Sequence, residues 1–275
     1  KADMMAAVPE WKRIAALIVI FLIVIVFWMI FHQNGSTLVF WADDHTSWNV
    51  SGIISNAINP FWIITLSLPL AWFWGWLDRR GLEPSTPMKM AFGMTLTGLS
   101  LLILYFAAIS NGFTKPAAEV VSAGNGAGQY YVRMDEDLAK VYDATAIDVP
   151  DKRPDTLRNL EPDAPLPIIK GYLFTGPAGM VPGDFGGLQK GAAGVTLAKT
   201  ERASPVWLIL AYFVISLGEL MLSPMGLALV SKVAPARMRG LMMGGWFLAT
   251  AVGNKLTAIG AFWDTWSHAR FFLTL

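Results

Sequence analysis

The chain has 275 residues, of which 54% are hydrophobic and 15% charged, with a mean hydropathy of +0.47, so lipid rather than water is its main solvent. A formal net charge of +1, with basic residues scattered through short loops, excludes an electrostatic hold on nucleic acid. The lack of cysteine excludes a disulfide framework, a thiolate nucleophile and a Cys-based metal centre.

A bilayer crossing needs about 20 apolar residues, and the sequence offers five such stretches: 14–33, 52–76, 88–110, 205–230 and 241–263. The first is too long for a signal peptide and has no small-residue cleavage site, and the opening at Lys1 reads as internal. Short basic connections set the orientation. Lys12 and Arg13 precede the first span, Arg79, Arg80 and Lys89 lie between the second and third, and Lys232, Arg237 and Arg239 lie between the fourth and fifth, which predicts a cytoplasmic side for all three. Residues 34–51 carry Asp43 and Asp44 but no Lys or Arg, and so are expected outside.

Residues 111–204 form a long, polar, Gly- and Pro-rich connection expected on the outer side. Lys152 and Arg153 are compatible with that side, because long segments translocate largely regardless of charge. Residues 168–174 have a strand-like pattern and residues 136–142 suit a helical turn or two, so both a small ordered outer domain and a flexible insert fit the composition. The apolar residues 271–275 are too few to span, which predicts that the chain stops inside a sixth helix.

Within the spans, Glu219 stands out because a carboxylate in the middle of a 205–230 apolar run is expensive and usually marks a functional site. The plainer alternatives are neutralisation by protonation or pairing with Lys255. Polar residues recur at helical spacing: Ser51, Ser55 and Asn59 in the second span, Trp246, Thr250 and Asn254 in the fifth, and His32 with Ser36 beside Gln33 in the first. Such faces line a cavity or serve as interhelical hydrogen-bonding groups. Of 12 tryptophans, Trp28, Trp62 and Trp246 lie deep in their spans and are candidate pocket walls or packing aromatics. Pro224 cannot donate to the Leu220 carbonyl, and Gly218 and Gly226 flank Glu219, which predicts a bend or hinge there. Pro60 frees the Asn56 carbonyl in the same way, and Gly244 and Gly245 precede Trp246. No span holds an HExxH, GxSxG or paired-Asp arrangement, so no enzyme active site is expected.

Several ordered motifs together resemble the C-terminal half of the proton-dependent oligopeptide transporter family, a branch of the major facilitator superfamily. They are Phe27-Trp28 leading to Gln33-Asn34-Gly35-Ser36, then Asn59-Pro60-Phe61, the run from Gly218-Glu219 through Ser223-Pro224 to Gly226-Leu227, Lys232-Val233-Ala234-Pro235, and Gly244-Gly245-Trp246-Phe247-Leu248 with Gly253-Asn254. The resemblance implies an all-α membrane protein, half of a twelve-helix bundle with a long extracytoplasmic insert, in a plasma (inner) membrane. Residues 1–110 would supply three helices, 111–204 the insert, and 205–275 the remaining helices. It implies symport of di- and tripeptides with protons, without a further cofactor, in partnership with an N-terminal six-helix half. In that reading Glu219 holds the peptide's amino group, Asn59 supports it, Trp28, Trp246 and Phe247 line side-chain pockets, and Gln33 and Ser223 add polar wall. His32 departs from the acidic or polar residue common at its position. Two other readings stay open: a transporter of nitrate or another small metabolite, and a membrane-anchored binding module built on the insert.

Overall fold

The computed structural model describes residues 8–48, 50–152 and 165–275, so Arg153 lies outside the described residues. The chain divides into two compact units, residues 1–103 with 204–260 and 275, and residues 104–203 with 261–274.

In the first unit, helix α1 (Glu10–Phe31) is 22 residues of almost unbroken apolar sequence. It tightens into a 3-10 turn at His32–Gly35 and is followed by α2 (Thr37–Asp44), so part of the expected outer loop at 34–51 is helical. The second span is broken. Helix α3 (Gly52–Ser55) ends at Asn56 and α4 (Ile58–Arg79) begins two residues later. Pro60 therefore sits in the first turn of α4, where its missing N–H costs no helical bond. Pro69 is the proline inside α4. Helix α5 (Thr86–Ser110) follows, and α7 (Pro205–Val233) is a continuous 29-residue helix with Pro224 inside it. Ser204 caps its start and Pro205 occupies its first turn. At its other end the Arg13 guanidinium donates to the carbonyls of Val233 (2.7 Å) and Ala234 (3.0 Å), a positive charge on orphan carbonyls at the negative pole of the helix.

Among the described residues four helical segments are long and apolar enough to cross a membrane: Glu10–Asp44, Gly52–Arg79, Thr86–Ser110 and Pro205–Val233. The expected fifth span at 241–263 is shorter. Helix α8 (Arg239–Leu256) has 18 residues, carries Arg239, Asn254 and Lys255, and passes into a 3-10 segment at Thr257–Phe262. Helix α1 packs on α8, and α4 and α8 pack on α7.

The second unit overturns the all-α expectation. Strands β1 (Ala117–Ala123), β2 (Gln129–Arg133), β3 (Ala146–Pro150), β4 (Ile168–Thr175), β5 (Phe185–Gly191) and β6 (Gly194–Thr200) form one sheet in the order β2-β1-β5-β6-β4-β3. A further β2–β4 pairing, Tyr131 opposite Leu173, brings the sheet back on itself, and β4 meets β6 in parallel at Thr175 and Thr196. Alternation drives this. Tyr130 and Val132 on β2, and Tyr172 and Phe174 on β4, point into a buried core with Val120, Leu188 and Leu197. Helix α6 (Glu136–Val141) adds Leu138 to that core and starts at Asp135, whose carboxylate accepts from the backbone N–H groups of Asp137 and Leu138. The strand-like pattern at 168–174 is β4, while the other strands went unread because they are five to seven residues long and carry almost no hydropathy signal. A second aromatic cluster in this unit gathers Phe113, Trp263, His268, Phe271 and Phe272, ending in α9 (His268–Thr274).

Candidate polar site around Glu219

Helix α7 is apolar along most of its length, yet Tyr212, Ser216, Glu219 and Ser223 recur at three- to four-residue steps and so share one face. Glu219 is half-buried there and makes no ion pair among the described residues. Lys255 is exposed on α8, so the pairing alternative fails. The carboxylate instead meets Asn59 of α4, whose Nδ2 donates to Glu219 Oε2 at 3.3 Å and to Ser216 Oγ at 2.9 Å. Ser216, fully buried, donates its own proton to the Tyr212 carbonyl at 2.6 Å. The Tyr212 hydroxyl donates to the Asn34 carbonyl at 3.2 Å. One polar ladder thus joins the 3-10 turn after α1, α4 and α7. The break at residues 56–57 leaves Asn59 on α4, where it meets α7, and Ser55 on α3, where its hydroxyl donates to the Gly52 carbonyl at 2.6 Å.

The other expected residues fall into two groups. Ser223 is half-buried one turn beyond Glu219, and Phe247 is 59% exposed on α8. Gln33 is fully buried, and both ends of its amide are occupied: Nε2 faces the Met29 and Thr257 carbonyls at 3.4 Å, and Oε1 accepts from Thr37 (2.9 Å) and Ser36 (3.2 Å). It ties the end of α1 to the end of α8 and is not a wall. Trp28 and Trp246 are 8% and 2% exposed and serve as packing aromatics. Trp28 stacks edge-on against Phe27 and Phe31 and lies against Gly253, where an added Cβ would fall 2.6 Å from Trp28 Cβ.

Two glycines expected to hinge α7 do something else. A Cβ on Gly226 would stand 1.9 Å from the Trp246 ring, so that position must be bare for α8 to pack on α7. A Cβ on Gly218 would stand 2.7 Å from the Gly93 carbonyl, and one on Gly93 would stand 2.7 Å from the Gly218 carbonyl, a reciprocal close approach of α5 and α7. Sequence reasoning missed Ser216 and Tyr212, although their spacing from Glu219 was visible. Trp62, a candidate pocket wall or packing aromatic, is half-buried near the start of α4: the ring meets Phe213 edge-on at 5.0 Å, and its indole N–H has no partner among the described residues.

Residues 2–138 and 171–267 match the POT family. An uncharacterised transporter, YclF of Bacillus subtilis (strain 168), is 23% identical over 97% of this chain and 37% of its own length. The peptide transporter YePEPT of Yersinia enterocolitica is 24% identical over 88% of this chain and 33% of its own, and the dipeptide and tripeptide permease A of Salmonella typhi is 26% identical over 88% and 32%. The chain therefore spans 32–37% of the length of these relatives. A crystal structure of the peptide transporter POT with sulfate superposes with a TM-score of 0.58 at 22% identity, covering 96% of this chain and 37% of that one. A POT family transporter with 5-aminolevulinic acid gives a TM-score of 0.59 at 16% identity, covering 96% and 38%. At such identities the structures speak for the fold. The four apolar helical segments and the match across both flanks of residues 139–170 make the conclusion plain: the chain belongs to the POT family.

Proposed function

We propose that this chain is the C-terminal part of a twelve-helix transporter that carries di- and tripeptides together with protons by alternating access, in a plasma (inner) membrane, with a six-helix N-terminal half as its partner. Glu219 takes the peptide's amino group in this reading. A single fixed anion suits the one terminus that all peptides share, while Ser223 and the exposed Phe247 offer tolerant walls to varied side chains. Pro224 leaves the Leu220 carbonyl without its helical donor one turn from that anion, which suits a helix that must flex during transport. Residues 1–110 and 205–275 supply the helices, and 111–204 lie outside the cell.

The observation that carries the proposal is the Asn59–Glu219 contact between two largely apolar helices. In the full-length protein in proteoliposomes, Glu219→Gln abolishes dipeptide uptake while membrane insertion persists. Uptake at the wild-type rate would refute the proposal. A transporter of nitrate or another anion needs no such carboxylate. The binding-module reading draws support from the separate core of the sheet, and excising residues 115–199 separates the two: retained uptake leaves transport with the helices.

A further inference from the structure

We infer that Ser216 is a positioning residue of the amino-group site, fixing which end of the Asn59 amide an incoming ammonium meets. The inference rests on the reading of Glu219 as the amino-group anion. A serine hydroxyl has one proton and two lone pairs. The proton of Ser216 goes to the Tyr212 carbonyl at 2.6 Å, so Oγ can only accept from Asn59. Glu219, when ionised, also only accepts. Asn59 must therefore turn its Nδ2 toward both of them, giving one hydrogen to Ser216 at 2.9 Å and the other to Glu219 at 3.3 Å. A flipped amide would set Oδ1 against two acceptors with no proton between them.

The consequence reaches the ligand. No hydrogen bond to Asn59 Oδ1 is made among the described residues, so the carbonyl end of the amide remains able to accept from a ligand that reaches Glu219. An ammonium carries three donors and no acceptor, and it gains from facing a carboxylate and a carbonyl rather than a carboxylate and an NH2. Without the Ser216 hydroxyl only the longer contact to Glu219, at 3.3 Å, holds the amide in that sense, and its orientation is less firmly fixed. The neutral serine thus sorts donors from acceptors around the charge, and discriminates by the number of N–H groups that a cation presents.

The test compares a dipeptide having a primary amino terminus with its N-methyl counterpart, which keeps the charge and loses one donor. Affinities come from competition with a labelled dipeptide in the full-length transporter. In wild type the primary amine binds more tightly. Ser216→Ala narrows that preference, lowering affinity for the primary amine roughly threefold to tenfold and affecting the N-methyl peptide less, with the maximal rate little changed. Ser216→Thr, which keeps the hydroxyl, retains the preference. Ser216→Cys preserves volume while weakening both hydrogen bonds, and carries the same test if the alanine variant fails to insert. An equal loss for both peptides, an unchanged preference in Ser216→Ala or Ser216→Cys, or no preference in wild type overturns the inference. If Glu219→Gln still abolishes uptake in that case, the amino-group site itself stands. If Glu219→Gln transports normally, both readings fall.

Discussion

The two units differ in what they leave exposed and in which polar groups they bury. In the helical unit many large apolar side chains face outward, Ile53 at 78% exposure, Ile64 at 76% and Leu68 at 80%, while the uncharged polar groups of Gln33, Ser55 and Ser216 are fully buried beside an apolar interior that includes Leu17, Trp41 and Leu208. In the sheet unit Val120, Val132 and Leu188 form the interior, and charged pairs such as Lys170 with Glu136 lie on the surface. The solvent explains the difference. Water drives the sheet to bury hydrocarbon at about 25 cal/mol per Å². Lipid offers helices no such gain on association, so they cohere through close steric fit and through polar groups that find partners only in each other.

That contrast predicts different weak points. The largest effect falls where helices touch backbone to ring. Gly226→Leu places atoms where the Trp246 ring already lies, and should eliminate the monodisperse peak of the full-length protein on size-exclusion chromatography in detergent. Gly244→Ala, beside open space on α8, should leave that peak unchanged. Normal behaviour of Gly226→Leu would mean that steric fit does not hold these helices. In the sheet the corresponding weak point is core volume. Leu188→Ala should cost about 2–5 kcal/mol and make residues 104–203 sensitive to limited proteolysis, with the membrane helices still intact in the digest. Cleavage spreading through both units would break the comparison.

How much of this was readable follows the same division. Helices α1, α4, α5 and α7 announce themselves because long apolar runs are a strong signal, and Glu219 is conspicuous because a carboxylate is rare among them. Asn59 was found through its spacing and its motif. Ser216 was not, because a lone serine in an apolar helix is common, and its meaning depends on Asn59, 157 positions away along the chain. The glycines misled for a related reason. Glycine permits both flexing and close approach, and only the neighbouring ring at Gly226 or carbonyl at Gly218 decides between them. In the sheet, residues 168–174 and 136–142 were legible as short elements, but the pairing of β2 with β4 required contacts that no local pattern encodes.

A smaller effect is expected at the end of α7. Arg13→Ala leaves the Val233 and Ala234 carbonyls without their cation, and should lower stability by about 1–2 kcal/mol, read as an earlier thermal transition of the detergent-solubilised protein. Arg13→Lys keeps the charge but loses the two-pronged contact, and should recover only part of it.

The smallest effect belongs to the sheet surface. The Lys170 ammonium, hydrogen-bonded at 2.6 Å and close in charge, holds the Glu136 carboxyl below its ordinary value of 4.5, with Lys140 adding to the same direction and Asp137 opposing it. A depressed carboxylate contributes stability above its unfolded pKa and loses it as pH falls through the folded value. Lys170→Met should therefore return the Glu136 titration, followed by carboxyl carbon NMR, toward 4.5. Any stability difference from wild type should appear near neutrality, vanish in acid and shrink in high salt, because both side chains are about 60% exposed and well screened. A large, salt-insensitive loss at neutral pH would place that pair in an apolar setting and make the sheet surface resemble the buried polar ladder of the helices, the one result that would erase the distinction between the units.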